Sequence, residues 1–288
     1  MSSLLIFGYG YTARVFVEAV QNDFTTFFGT SRKPHSKQSG LVKLLRFDGV
    51  DADPVLHQAV MEAEAVLVSV PPDERGDPVL DAFSDLLAQN QNLRWLGYLS
   101  TVGVYGDHQG KWVDERTPLY PHSERSKRRV EAEQAWLDWG QQTGLPVHVF
   151  RLAGIYGPGQ NALVNLQQGT AKRVIKEGQV FNRIHVEDIA AVLKASLQKP
   201  HAQAIYNVSD DEPSPPQDVV AYAAQKSGYP LPPEMPFEKA NLSPMALSFY
   251  GENKRVSNAL IKEALGVTLA YPTYRQGIDA LYAAGEGR

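Results

Sequence analysis

Near the N-terminus four apolar residues, Leu4-Leu5-Ile6-Phe7, run directly into Gly8-Tyr9-Gly10-Tyr11-Thr12-Ala13. This Gly-x-Gly-x-x-Ala pattern constrains the chain more than any other segment. A buried strand, a glycine turn, a helix and a second strand form a unit that suits a dinucleotide pyrophosphate. At the helix N-terminus the unpaired N–H groups and the helix dipole both favour an anion. Gly8 suits the tight turn, Gly10 the close approach of backbone to phosphate, and Ala13 the packing of helix on strand. Tyr9, Tyr11 and Thr12 fall within the same candidate site. On its own such a motif is a weak signal, and the rest of the chain must supply its context.

That context follows in order. Ala13, Phe16, Val17 and Val20 recur at helical spacing. Thr26 to Thr30 reads as the second strand. NAD-binding units of this kind place an acidic residue about 20 residues past the glycines, on the ribose hydroxyls. Here that position carries Ser31-Arg32-Lys33. A guanidinium fork and an ammonium attract a 2′-phosphate that a carboxylate would repel, so the expected cofactor is NADP, with NAD less favoured. The alternative for these residues is a solvated basic loop. Leu41–Phe47 is a third apolar run, ending at Asp48. That acid is read either as an adenine contact or as a turn and cap residue.

Ala65-Val66-Leu67-Val68-Ser69-Val70-Pro71-Pro72 is a continuous run with β-branched residues, as in a strand covered on both faces. Its prolines end it where a cofactor would cross, which makes Val70 and Pro71 candidate cofactor residues. A helix over 79–89 and a strand over 93–99 follow. Five strands alternating with helices imply a doubly wound parallel α/β sheet, since parallel neighbours need crossover connections.

Composition narrows the function classes. The formal charge of −4 argues against a general nucleic-acid or anionic-membrane binder. No 18-residue apolar run is present, so no membrane-spanning helix is expected, and Leu4–Phe7 is too short for a signal-peptide core. The 288 residues contain no cysteine, which excludes thiolate chemistry, disulfides and cysteine-ligated zinc and suits a cytoplasmic location. No metal site is expected. Eight prolines crowd residues 213–244.

The fifth strand runs into Ser100-Thr101-Val102-Gly103-Val104-Tyr105-Gly106-Asp107. With the glycine turn and Ser126-Lys127, this segment resembles the extended short-chain dehydrogenase/reductase superfamily, which includes nucleotide-sugar epimerases and dehydratases. Gly8-Tyr9-Gly10-Tyr11, the Thr30-Ser31-Arg32 strand end, Pro71-Pro72, the Arg183–Ala190 segment, Tyr206-Asn207-Val208 and Asn253–Asn258 are similar to its atypical bacterial branch. The resemblance covers most of the chain. It implies an NADP-binding Rossmann domain over 1–158, with 182–210 returning to the sheet. Residues 159–288 would mainly form a smaller C-terminal substrate cap.

In active members a tyrosine and a lysine four residues apart share a helix face. The phenol exchanges a proton with the substrate, while the lysine holds the nicotinamide ribose and lowers the phenol pKa. A Ser or Thr from the fifth strand bonds the same substrate oxygen. By resemblance Lys127 matches the lysine and Thr101 the Ser/Thr. The tyrosine position is Ser123, and a serine hydroxyl is a poor general acid at neutral pH. Three readings stay open: a substitute such as Tyr105, Tyr120, His122 or Tyr156; chemistry by Lys127 and Thr101 alone; or a catalytically silent NADP(H)-binding regulatory or scaffold protein.

Beyond Lys127, which the sequence reads as opening a helix, Ala132, Ala135, Trp136 and Trp139 recur at helical spacing. Their tryptophans read as core or dimer contacts, and the resemblance implies a homodimer through this helix and its predecessor. His148, His185 and Asp188 read as structural. Arg183, Lys254 and Arg255 are the candidate substrate residues, because cations suit a substrate phosphate or carboxylate. The expectation is an NADP-dependent oxidoreductase or epimerase-like protein acting on a small polar or nucleotide-sugar substrate.

Overall fold

The computed structural model describes residues 2–33, 38–200 and 203–288. Strand β1 (Ser3–Phe7) feeds helix α1 (Tyr11–Val20), followed by β2 (Thr26–Ser31), β3 (Gln38–Ser39) and β4 (Val42–Arg46). Then come α2 (Pro54–Glu62), β5 (Ala65–Val68), α3 (Pro78–Gln89), β6 (Trp95–Thr101), a 3-10 turn over Val102–Tyr105 and β7 (Trp112–Val113). The long helix α4 (Glu124–Thr143) leads to β8 (Val147–Leu152), β9 (Gly154–Tyr156), α5 (Ala162–Gln167), β10 (Arg173–Ile175) and β11 (Arg183–His185). The chain closes with α6 (Val186–Gln198), β12 (Gln203–Val208), α7 (Pro216–Ser227), β13 (Glu234–Pro236), α8 (Pro244–Tyr250), β14 (Arg255–Val256), α9 (Ala259–Glu263) and α10 (Tyr274–Ala283).

The main sheet has the order β12-β8-β6-β5-β1-β2-β4-β3 and is parallel throughout except for β3 at its edge. Five of its seven parallel strands, β1, β2, β4, β5 and β6, are those expected from the apolar runs, and β8 and β12 complete the sheet. Alternate residues point to opposite faces. Leu4, Ile6 and Leu67 join a core layer with α1 and α6, while Leu5, Phe7, Val66 and Val68 join one with α2, α3 and α4. Trp136 and Trp139 belong to the second layer, which settles their role as core within the chain. The strand order reverses between β1 and β5, and in such sheets ligands bind outside the carboxyl ends of the strands at this point.

Helix α4 begins earlier than its apolar spacing suggests. Ser123 Oγ accepts the Ser126 N–H at 3.1 Å, so the helix opens at Glu124 rather than at Lys127. A separate cluster of Leu163, Leu166, Ala223, Ala224, Tyr274 and Ile278 packs α5, α7 and α10 together beyond the sheet. The last part of the chain divides differently. Ile261, Leu265, Val267 and Leu269 pack into the sheet layer beside α6. Asp188 accepts the Ala270 and Tyr271 N–H groups at 2.7 and 3.0 Å and orders that return, as its structural reading expected.

Candidate functional site

The glycine turn is held from both sides. Gly8 has φ +88°, and a Cβ there would lie 3.2 Å from Val70, so a side chain would meet both strain and a neighbour. Its N–H donates to Thr30 Oγ1 at 2.9 Å, and the Tyr9 N–H donates to the Thr30 carbonyl at 2.9 Å. Thr30 thereby pins the turn to β2. Gly10 is the N-cap of α1 and supplies no side-chain cap, no acid occupies the first turn, and a Cβ at Gly10 would meet nothing within 4 Å. An uncapped helix start with open space over a glycine fits a diphosphate accepting backbone N–H bonds. Thr12 and Ala13 are buried behind this turn, and the Tyr11 hydroxyl donates to the Pro158 carbonyl at 3.0 Å.

Beyond β2, Ser31 Oγ accepts a long 3.4 Å bond from the Lys33 N–H. Arg32 and Lys33 are exposed, and neither makes an ion pair with a described residue. Pro71 is exposed beyond β5, while Val70 backs Gly8. Asp48 takes the turn role: it accepts Arg46 Nη2 at 2.7 Å and the N–H groups of Val50 and Asp51. Those bonds hold its carboxyl down at about 2.

A cavity of about 760 Å³ extends from Thr12 in the first turn of α1 across the strand ends, and none of Gly8, Tyr9, Gly10 and Tyr11 lines it; its size suits a small-molecule ligand. Thr12 and Ser69 line its inner end, and the hydroxyls of Ser100, Thr101, Ser123 and Ser126 line one flank. Thr101 Oγ1 accepts the Gly103 N–H at 3.1 Å, and Ser123 donates to Ser126 Oγ at 2.9 Å. Gly103 keeps these groups close, since a Cβ there would lie 3.1 Å from Ser126 Oγ and 3.4 Å from Thr101 Oγ1.

Lys127 is placed otherwise. Its Nζ pairs with Glu124 at 2.7 Å, its side chain is about half exposed, and it does not line the cavity. Arg129 lines it instead, donating Nη1 to the Tyr98 hydroxyl at 2.9 Å and the Leu99 carbonyl at 2.7 Å. Tyr105 lies beneath the floor with no exposed surface. Its hydroxyl donates to Asn207 Oδ1 at 2.7 Å and accepts Arg151 Nη1 at 3.0 Å, and burial pushes its pKa up to about 12. Arg151 in turn pairs with Glu133 at 2.7 Å, and Ser100 donates to the same carboxylate. This buried chain of bonds fixes the floor on which Thr101 stands. Tyr120 and His122 are exposed, and His122 Nδ1 bonds the Tyr120 carbonyl at 2.9 Å.

Arg183 and Lys254 both line the cavity. Lys254 Nζ donates to the Gly106 carbonyl at 2.8 Å and to Glu252 at 2.6 Å, and burial lowers its pKa. Arg255 turns away and donates to the Gly110 carbonyl. Tyr156 lines the cavity with its hydroxyl buried and unpartnered, and desolvation raises its pKa strongly. Sequence reasoning missed Arg129, Glu133 and Arg151. Their available signal was position, because Arg129, Ala132, Glu133 and Trp136 share one face of α4, and charges on a buried face need partners.

A comparison with curated proteins gives no match. The family model described as "NAD dependent epimerase/dehydratase family" matches residues 78–209. A functionally unknown conserved protein from Silicibacter pomeroyi DSS is 51% identical, with a TM-score of 0.90 over 99% of this chain and 100% of that one. A putative NAD-dependent epimerase/dehydratase from Methylobacillus flagellatus is 25% identical, with a TM-score of 0.72 over 98% of each chain. dTDP-glucose 4,6-dehydratase from Bacillus anthracis str. Ames, solved in complex with NAD, shares the fold at 18% identity and a TM-score of 0.77 over 99% of this chain and 98% of that one. The chain thus shares the seven-stranded parallel sheet of these structures, and its residues 78–209 are similar to the NAD-dependent epimerase/dehydratase family.

Proposed function

We propose that this protein binds NADP and acts as an oxidoreductase or epimerase-like enzyme on a small polar substrate held in the cavity at the strand ends. One observation carries the reading. A single cavity joins the helix start at Thr12 to the hydroxyls of Thr101 and Ser123 and to the cations Arg183 and Lys254. The uncapped α1 start would hold the pyrophosphate. Arg32 and Lys33, exposed beyond β2 with no acid beside them, would read a 2′-phosphate. A bound nicotinamide supplies hydride transfer. The chain's own part is to orient the substrate oxygen against Thr101 and Ser123 and to exchange a proton with it. In this reading residues 1–158 and 182–210 carry the cofactor, and the rest of 159–288 mainly closes over the substrate.

A second reading is favoured by one local arrangement. Ser123 stands where the family's phenol would, and Lys127 is paired with Glu124 outside the cavity. Such a site binds a dinucleotide without turning over, as a sensor or scaffold would. Fluorescence titration with NADPH, followed by a turnover screen over carbonyl and sugar-nucleotide compounds, separates the two. Binding with turnover supports the enzyme, binding without turnover supports the second reading, and no binding rejects both.

A further inference from the structure

Four cations line the cavity; Arg125 is exposed, and among the other three Arg183 differs in what balances its charge. Lys254 has Glu252 at 2.6 Å. Arg129 lies in the field of Asp77. Arg183 makes no ion pair with any described carboxylate. Asp210 and Glu212 act on it through space only, and burial pushes the Asp210 carboxyl up to about 8. One Asp210 oxygen is buried with no protein partner. A half-buried cation that no carboxylate contacts gains from a ligand that brings one.

The guanidinium is nevertheless held firmly. Nη1 donates to the Phe181 carbonyl at 3.0 Å, the Ser214 carbonyl at 3.2 Å and Ser214 Oγ at 2.8 Å. The other guanidinium nitrogens make no such bonds to described residues, and the side chain borders both the main cavity and a second one of about 460 Å³. Fixing one nitrogen by backbone and hydroxyl acceptors orients the fork for a planar, bidentate anion.

Part of the cavity wall is apolar. Ile155, Val180, Phe181, Met245 and Phe249 line the same cavity, and the last two come from α8 with more than half their surface open. An apolar wall beside a fixed guanidinium that no described carboxylate contacts matches a ligand with a carboxylate at one end and an aromatic or branched aliphatic body at the other. We infer that the substrate is such an apolar-bodied carboxylate rather than a nucleotide sugar, with Arg183 reading the carboxylate and Phe249 and Met245 covering the body. This rests on the proposed function and narrows its substrate class.

The test uses the full chain saturated with NADPH and saturation-transfer NMR with three probes: 3-phenylpropanoate, its neutral amide and UDP-glucose. The expected result is binding of the carboxylate about tenfold or more tighter than the amide, the scale of a charge-assisted bidentate contact. Phe249→Ala should weaken the carboxylate several-fold while leaving NADPH affinity unchanged. Arg183→Gln should erase the preference for acid over amide. The acid-to-amide comparison on the unaltered protein stands even if that variant does not fold. Equal binding of acid and amide, stronger binding of UDP-glucose, or binding of none of the three overturns the inference. Failure of NADPH itself to bind, measured beforehand by fluorescence, rejects the cofactor reading instead.

Discussion

Ser123 and Ser126 face each other at the mouth of the cavity, with Ser123 Oγ donating to Ser126 Oγ at 2.9 Å while accepting the Ser126 N–H at 3.1 Å. Ser123, which the resemblance matches to the phenol position, therefore works as a helix cap. Ser123→Ala should cost about 1 kcal/mol of stability, the usual loss of an N-cap, read by urea denaturation. Ser123→Tyr should lose the same cap and gain no turnover while Lys127 stays paired with Glu124. A several-fold gain in turnover would show that Lys127 already reaches the cofactor.

Gly10 separates folding from binding. Its backbone is ordinary, with φ −100°, and a Cβ would meet nothing within 4 Å. Gly10→Ala should leave the melting temperature nearly unchanged and sharply weaken NADPH. Gly8→Ala should lower both, because φ is +88° and Val70 is 3.2 Å away. Unimpaired NADPH binding by Gly10→Ala would remove the pyrophosphate from this turn.

Arg32 is the proposed reader of the 2′-phosphate. Arg32→Ala should weaken NADPH by about 1–3 kcal/mol, the scale of a lost charge-assisted contact, and leave NADH almost unaffected. Isothermal titration with each cofactor checks this, and equal weakening of both would contradict the NADP preference.

The Glu133–Arg151 pair lies at 2.7 Å with both side chains almost fully buried. Removing one partner strands a buried charge, so Arg151→Met should cost about 3–5 kcal/mol. Removing both should cost less than the sum of the single changes, which a double-mutant cycle in urea reads directly.

Asp210 should leave a pH signature. Burial raises its carboxyl from 3.8 to about 8, so the native state holds this proton more tightly than the unfolded chain. Its contribution to stability is then fully present below about pH 3.8 and falls as pH rises through about 8. Asp210→Asn removes that dependence, so the difference between wild type and variant should grow between pH 5 and pH 8 in favour of the variant, as read from thermal unfolding. A flat difference over that range would show that Asp210 is ionised and solvated.

The first five parallel strands and the glycine turn were legible in the chain because their signals are local. Apolar runs such as Leu4–Phe7 and Ala65–Val68 mark strands buried on both faces, and glycines and prolines mark where each one stops. The direction in which a charged side chain points is not local. Lys254 and Arg255 are adjacent, yet one lines the cavity and the other bonds Gly110. Lys127 and Arg129 are two residues apart on α4, yet only Arg129 lies beneath the strand ends. A two-residue step carries a helical side chain to the far side of the helix, so the packing of α4 on the sheet chooses between them. The sequence by itself determined most of the sheet and the place of the glycine turn. Tertiary structure alone decided which cations meet the cavity and which carboxylates neutralise them, because those partners come from segments far apart in the chain.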